Sequence, residues 1–173
     1  MSKSLIIYSS TDGHTQKICD CILSIVKEKY NTKLIPIDMV NNETLEIYDL
    51  IIIGASIRYG KHKPEIYDFI EKNKHILKTK ITAFFSVNVV ARKKNKNSVN
   101  NNPYIKKFLS LTSWRPNYLE VFAGRIVYSN YKFIDKIMIL FIMWLTNGPT
   151  DTSKIHEFTD WEKIREFSNT LIK

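Results

Sequence analysis

Cysteine, glycine and proline are all scarce in this sequence. The two cysteines, Cys19 and Cys21, lie two apart in a predicted helix and so point to different faces. No Cys-x-x-Cys pair and no zinc spacing occurs, which argues against a redox dithiol or a structural zinc. Both are read as reduced, structural residues of a cytoplasmic protein. With five glycines and five prolines, nothing reads as collagenous, repetitive or disordered. Neither Gly-x-x-x-x-Gly-Lys-Ser/Thr nor Gly-x-Gly-x-x-Gly is present, which argues against an NTPase P-loop and a dinucleotide fingerprint. Acidic residues are outnumbered, 17 against 26 basic ones, for a net charge of +9. That excess favours a polyanion: nucleic acid, an anionic membrane surface or an acidic substrate. An Ile-, Lys- and Asn-rich composition produces the same excess, so charge alone does not choose a partner. No nucleic-acid recognition motif is present, and no nucleic-acid partner is expected. The N-terminal residues run straight into Leu5-Ile6-Ile7-Tyr8, so no signal peptide is expected.

What is present is an alternation of strand and helix signals in 173 residues, a length that suits one domain, 1–173. Leu5–Ser10 is an apolar run ending in small polar residues. Thr15–Lys29 carries Ile18, Ile22, Ile25 and Val26 at helical spacing. Lys33–Asp38 reads as a strand. Leu50–Ser56, apolar throughout, reads as a central parallel strand covered on both faces. Pro64 opens a helix with Ile66, Phe69, Ile70 and Leu77 on its apolar face; proline suits a first turn, where its missing N–H has no helical partner. Ile81–Asn88 is a strand, Pro103–Leu111 a helix and Leu119–Val127 a fifth strand. Trp161, Ile164, Phe167 and Leu171 stripe a closing helix. Residues 91–102, basic and polar, read as a surface loop. The order predicts an α/β fold, a doubly wound five-stranded parallel sheet in the order 2-1-3-4-5, with an inserted apolar helix near 131–146. Ligand is then expected outside the carboxyl ends of the strands.

The first strand ends in Ser9-Ser10-Thr11-Asp12-Gly13-His14-Thr15, directly before a helix. Backbone N–H groups there lack acceptors and carry the positive end of the helix dipole, so the turn reads as a phosphate site. Ser10, Thr11 and Thr15 add hydroxyl donors, and Gly13 permits close backbone approach. The alternative is that Ser, Thr and Asp merely cap the helix. The third strand ends in Gly54-Ala55-Ser56-Ile57-Arg58-Tyr59-Gly60 and the fourth in Ser86-Val87-Asn88-Val89-Val90. In this strand order both loops flank a ring attached to the phosphate. Tyr59 offers a stacking face; Ser56, Ser86 and Asn88, with nearby backbone groups, offer hydrogen bonds to a polar ring edge. Taken singly, each is equally a surface tyrosine or a helix cap.

Residues Ser10–Thr15 resemble the flavodoxin FMN-phosphate loop, Ser/Thr-x-Thr-Gly-x-Thr, except that Asp12 replaces a hydroxyl with a carboxylate. A carboxylate facing a phosphate repels it, so Asp12 is expected to turn away or cap the helix. A fuller resemblance, over nearly the whole chain, is to the flavodoxin-type, menaquinone-dependent protoporphyrinogen dehydrogenases of bacteria. It is carried by Ser10-Thr11-Asp12-Gly13, by Ile53 to Gly60, by Ser86-Val87-Asn88 with Ala91-Arg92-Lys93, by Ser113-Trp114-Arg115-Pro116, and by Thr150-Asp151-Thr152 before Asp160-Trp161-Glu162. Asp is normal in that family's first loop. The resemblance implies a flavodoxin-like fold with FMN held by Ser10, Thr11, Asp12, Gly13, His14, Thr15, Ser56, Arg58, Tyr59, Ser86, Val87, Asn88 and Thr152. It implies oxidation of protoporphyrinogen IX to protoporphyrin IX in haem synthesis, with electrons passing to menaquinone or another quinone. No metal site is expected. No residue announces itself as a catalytic acid or base; His14 and His62 are the nearest candidates, and each otherwise reads as a solvated surface histidine.

Arg58, Arg92 and Arg115 are candidate partners for the substrate propionates, because arginine forks match carboxylates. A solvated basic loop is the plain alternative. Residues 131–146 pass from an amphipathic half with Lys132, Asp135 and Lys136 to Ile137–Leu145, apolar on every face. That run rises only about 14 Å as a helix, too short to span a bilayer. It is expected to lie peripherally on the cytoplasmic face of the inner (plasma) membrane, or to be a core helix or a contact in a homo-oligomer. Trp144 and Tyr131 suit an interfacial depth, and the positive charge suits anionic lipid. A flavodoxin-type electron carrier and a flavin quinone reductase fit the same fold. Basic charge and the apolar helix speak against the carrier.

Overall fold

The computed structural model describes residues 2–173. Its main sheet contains β1 (Lys3–Ser9), β2 (Asn31–Pro36), β3 (Leu50–Arg58), β5 (Ile81–Asn88) and β6 (Tyr118–Ala123), in the order β2-β1-β3-β5-β6. All these pairings are parallel, so the predicted doubly wound sheet is present. A short β4 (Lys61–His62) adds to β3 antiparallel. The register aligns Ile7, Ile53 and Phe84 across the sheet centre.

Because side chains alternate along a strand, the apolar runs feed two cores. Leu5, Ile7, Ile51, Ile53 and Phe84 pack with α2 (Pro64–Leu77) and α3 (Pro103–Leu111). Ile6, Ile52, Ala83 and Phe85 pack with α1 (His14–Val26) and α5 (Trp161–Leu171). Ile6, Ile7, Ile52 and Ile53 are fully buried, each contributing about 1.5–3 kcal/mol. Cys19 is buried and Cys21 half-buried, both free.

Three expectations need correction. The strand expected at Lys33–Asp38 ends at Pro36, which cannot donate to a ladder and suits the edge position of β2. A 3-10 turn follows at Ile37–Asn42. The strand expected at Leu119–Val127 is two strands. β6 stops at Ala123; beyond Gly124, β7 (Arg125–Val127) leaves the sheet and pairs antiparallel with β8 (Ile155–Glu157). Gly124 sits at the fork: its N–H donates to Asn88 O and its carbonyl accepts from Phe158 N. Residues 91–102 are not simply a solvated loop. Asn88 caps a 3-10 turn over Val89–Arg92, and fully buried Asn102 donates to Asn88 Oδ1 and Lys96 O while capping α3.

The inserted helix is α4 (Phe133–Leu145). It rests on Ile126 and Tyr128 through Met143, Ile139 and Leu140. Met143 is its one fully covered residue, while Phe133, Ile134, Phe141 and Trp144 lie open. It is therefore not a core helix.

Candidate functional site

A cleft runs along the carboxyl ends of β1, β3 and β5 and is roofed by α4. Its empty space is about 1050 Å³, open mouth included. The ligand edge predicted from topology is thus a real concavity.

One end is polar. Ser10, Thr11, Asp12, His14 and Thr15 line it. Gly13 is the N-cap of α1 with φ 74°, and no side chain caps the helix. A Cβ at Gly13 would meet nothing within 4 Å, so backbone conformation rather than space calls for glycine there. Asp12 does not cap; its carboxylate turns to Arg58, with Oδ1 3.7 Å from Nη1. The first-turn N–H groups of α1 are left facing the cleft without a side-chain acceptor, and α1 presents them with the positive end of its dipole.

Among the described residues, two buried polar atoms at this end have no partner: His14 Nδ1 and Arg125 Nε. Arg125 reaches in from β7 and donates through Nη2 to the Asp12 carbonyl at 3.3 Å. His14 Nε2 lies 2.6 Å from Thr159 Oγ1. That hydroxyl already donates to Ala123 O at 3.0 Å. Nε2 is therefore assigned the proton, and Nδ1 is a bare acceptor. Burial, and then the nearby Arg125 charge, push His14 down to about 4, so the ring is neutral near pH 7. His62 is likewise buried, beside Phe84 and Phe108, and burial pushes it down to about 4. Neither is the surface histidine expected from sequence: Trp161 and Thr159 cover the first, and the short β4 carries the second inward.

The other end takes Ser56, Arg58 and Tyr59 from β3 and its turn, and Val87 and Asn88 from β5. Tyr59 and Gly60 both have positive φ, 50° and 72°. They form the two-residue connection of the β3–β4 hairpin, the φ signs of a type I′ turn, which leaves Tyr59 exposed at the rim. The Asn88 side chain is committed inward: Nδ2 donates to Ser86 Oγ at 3.3 Å, and Oδ1 accepts from Ala91 N and Asn102 Nδ2. Ser86 is fully buried below the cleft, 2.9 Å from His62 Nε2. Both shape the loop rather than offering side-chain donors. Val89, Val90, Met138, Ile139 and Ile142 make this end apolar.

The three arginines separate. Arg58 lines the cleft. Arg92 lies behind it, donating to Val89 O and Thr146 Oγ1 and fastening the carboxyl end of α4. Arg115 is elsewhere, donating to Leu109 O, Thr112 O and Trp114 O at the end of α3. Thr152 is exposed in the turn before β8 and does not line the cleft. Arg125, Tyr131 and Asp135 line it and were not singled out from sequence as site residues.

The family described as flavodoxin domain matches residues 5–153. A protein called protoporphyrinogen IX dehydrogenase (quinone) from Escherichia coli K12 is 37% identical over 98% of this chain and 94% of its own length. One of the same name from Leishmania major is 38% identical over 96% of this chain and 73% of its own. The chain belongs to the flavodoxin-type protoporphyrinogen IX dehydrogenases. As a member of this family it keeps the flavodoxin fold. A Streptococcus pneumoniae flavodoxin aligns over 98% of this chain and 97% of its own with TM-score 0.56 and 13% identity. The two-electron reduced flavodoxin of Megasphaera elsdenii aligns over 68% of this chain and 84% of its own with TM-score 0.52, also at 13% identity.

Proposed function

We infer that this protein is an FMN-dependent dehydrogenase that oxidises protoporphyrinogen IX to protoporphyrin IX and passes the electrons to a quinone. One observation carries the reading: the uncapped N-terminus of α1 stands beside the unpartnered Arg125 Nε at the polar end of a cleft whose other end is apolar. Those groups fit FMN. The N–H groups after Gly13, the hydroxyls of Ser10, Thr11 and Thr15, and the Arg125 guanidinium would hold its phosphate. Ser56, Tyr59, Val87 and the Asn88 turn would flank its ring. Thr152 and Arg115 have no part in this arrangement. The flavin supplies the hydride chemistry when bound. The chain binds and orients it, and α4 shields the cleft from water.

The names of the relatives supply the substrate and acceptor, and the apolar end of the cleft suits a flat tetrapyrrole or a quinone ring. The whole chain, 1–173, acts as one domain. Among the described residues no helix is long and apolar enough to cross a membrane. The open face of α4, with Lys132 and Lys136 on the same helix segment, suits peripheral contact with an anionic membrane on its cytoplasmic face.

Titration of the flavin-free protein with FMN and with riboflavin, followed by flavin fluorescence, tests the phosphate site. FMN is expected to bind at least about tenfold more tightly, since charge-assisted hydrogen bonds serve its phosphate alone. Equal affinities would refute that assignment.

A further inference from the structure

The polar seam between the β3–β4 hairpin and α4 is built around one arginine. Arg58 Nη2 donates to Asp135 Oδ2 at 3.1 Å, and Nη1 lies 3.7 Å from Asp12 Oδ1. Its guanidinium sits over two rings, 5.2 Å from the centre of Tyr59 and 4.9 Å from that of Tyr131. The Tyr59 hydroxyl donates to the other Asp135 oxygen at 2.7 Å. All of these residues line the cleft. One cation thus serves two carboxylates, one on the first loop and one on α4. Among the described residues the Arg58 guanidinium makes one full side-chain hydrogen bond, to Asp135, beside a looser ion pair with Asp12 and a contact with the Tyr59 hydroxyl, so N–H donors remain for a further carboxylate. A guanidinium braced on its faces with free edges is suited to forked recognition of a carboxylate.

We propose that Arg58 is the receptor for a propionate carboxylate of the porphyrinogen, and that Asp135 holds its place until substrate arrives. The proposal rests on the function inferred above. A third carboxylate beside Asp12 and Asp135 would crowd three anions around one cation, so the incoming propionate displaces Asp135. Asp135 belongs to the first turn of α4, and its release frees that end of the helix from Tyr59 and Arg58. The other end stays fastened by Arg92 to Thr146 and by the Tyr128 hydroxyl to Pro149 O. The helix then swings from its carboxyl end, and the cleft widens between Tyr59 and Met138. Free carboxylates become a requirement for opening, which selects a tetrapyrrole acid over a neutral one.

The test compares Asp135→Asn with Arg58→Gln, and includes Arg58→Lys to keep the charge if the glutamine variant does not fold. The Michaelis constant for protoporphyrinogen IX is expected to fall several-fold in D135N, where the competitor is gone. It is expected to rise about tenfold or more in R58Q, where the receptor is gone, with R58K between R58Q and the unaltered protein. In parallel, protoporphyrin IX and its dimethyl ester are titrated into the FMN-loaded proteins in detergent, following porphyrin fluorescence. Only the acid should respond to the substitutions. If these residues merely fasten α4, both substitutions move the Michaelis constant the same way, or acid and ester respond alike; either result overturns the proposal. Failure of the underlying function looks different: the unaltered protein then forms no porphyrin, while the acid-versus-ester comparison still decides the role of Arg58.

Discussion

Replacing Gly54 by alanine tests how the sheet supports the cleft. Gly54 lies on β3 opposite Phe85 of β5. A Cβ there would stand 2.3 Å from Phe85 Cζ and 2.7 and 2.9 Å from its two Cε atoms. Carbon atoms need roughly 3.5 Å, so the ring would have to retreat by about an ångström. It has nowhere to go: Phe85 is fully buried, with the Phe122 and Phe167 rings centred 5.4 and 6.3 Å away. Overpacking of this kind costs about 1–3 kcal/mol. Moving β3 instead would shift Ser56 and Arg58 at the cleft. Phe85→Leu alone removes ring volume and should cost roughly 1–3 kcal/mol. Combined, the two changes relieve each other, so the double variant should be less destabilised than the sum by about 1–2 kcal/mol. Urea unfolding of the four proteins, compared through midpoints at constant slope, measures this. A G54A protein as stable as its parent, or strictly additive losses, would refute the reasoning.

Arg125→Gln should lower FMN affinity about tenfold by removing a charge-assisted contact while leaving riboflavin binding unchanged, as read by flavin fluorescence. His14 and His62 are each held down to about 4, below the ordinary value of about 6.5. The unfolded chain therefore takes up these protons first as pH falls. Stability should be full above about pH 6.5 and decline towards pH 4, by up to about 3 kcal/mol for each histidine; urea midpoints unchanged between pH 7 and 4.5 would contradict this. Phe141→Ser with Trp144→Ser, both on the open face of α4, should cut co-sedimentation with phosphatidylglycerol vesicles about tenfold or more without changing FMN affinity. A concentration-dependent dimer lost in the same variant would instead mean that a second copy covers this face.

The parallel sheet was readable because β3 and β5 are long, apolar and covered on both faces. Short elements were not: β4, β7 and β8 span two or three residues each, too few for any periodicity. Gly124 was the one available sign that the last strand breaks. The polar loop Ser10–Thr15 at the cleft was readable as a contiguous stretch before a helix. Arg125 and Asp135 were missed because only topology brings them in. Arg125 meets the Asp12 carbonyl across 113 positions and Asp135 meets Arg58 across 77. The two histidines were misread as solvated for a related reason, since Thr159 covers His14 from 145 positions away. Of the two orientations expected for Asp12, capping of α1 is not seen, and its partner Arg58 was not legible in the sequence.

The central claim is that this cleft oxidises a porphyrinogen at the expense of a quinone. The direct measurement mixes the protein, FMN and protoporphyrinogen IX anaerobically with a menaquinone analogue and follows porphyrin fluorescence against a control without protein. The account predicts porphyrin formation that needs protein, FMN and quinone together. A protein that binds FMN yet leaves the porphyrinogen unoxidised under these conditions would contradict it.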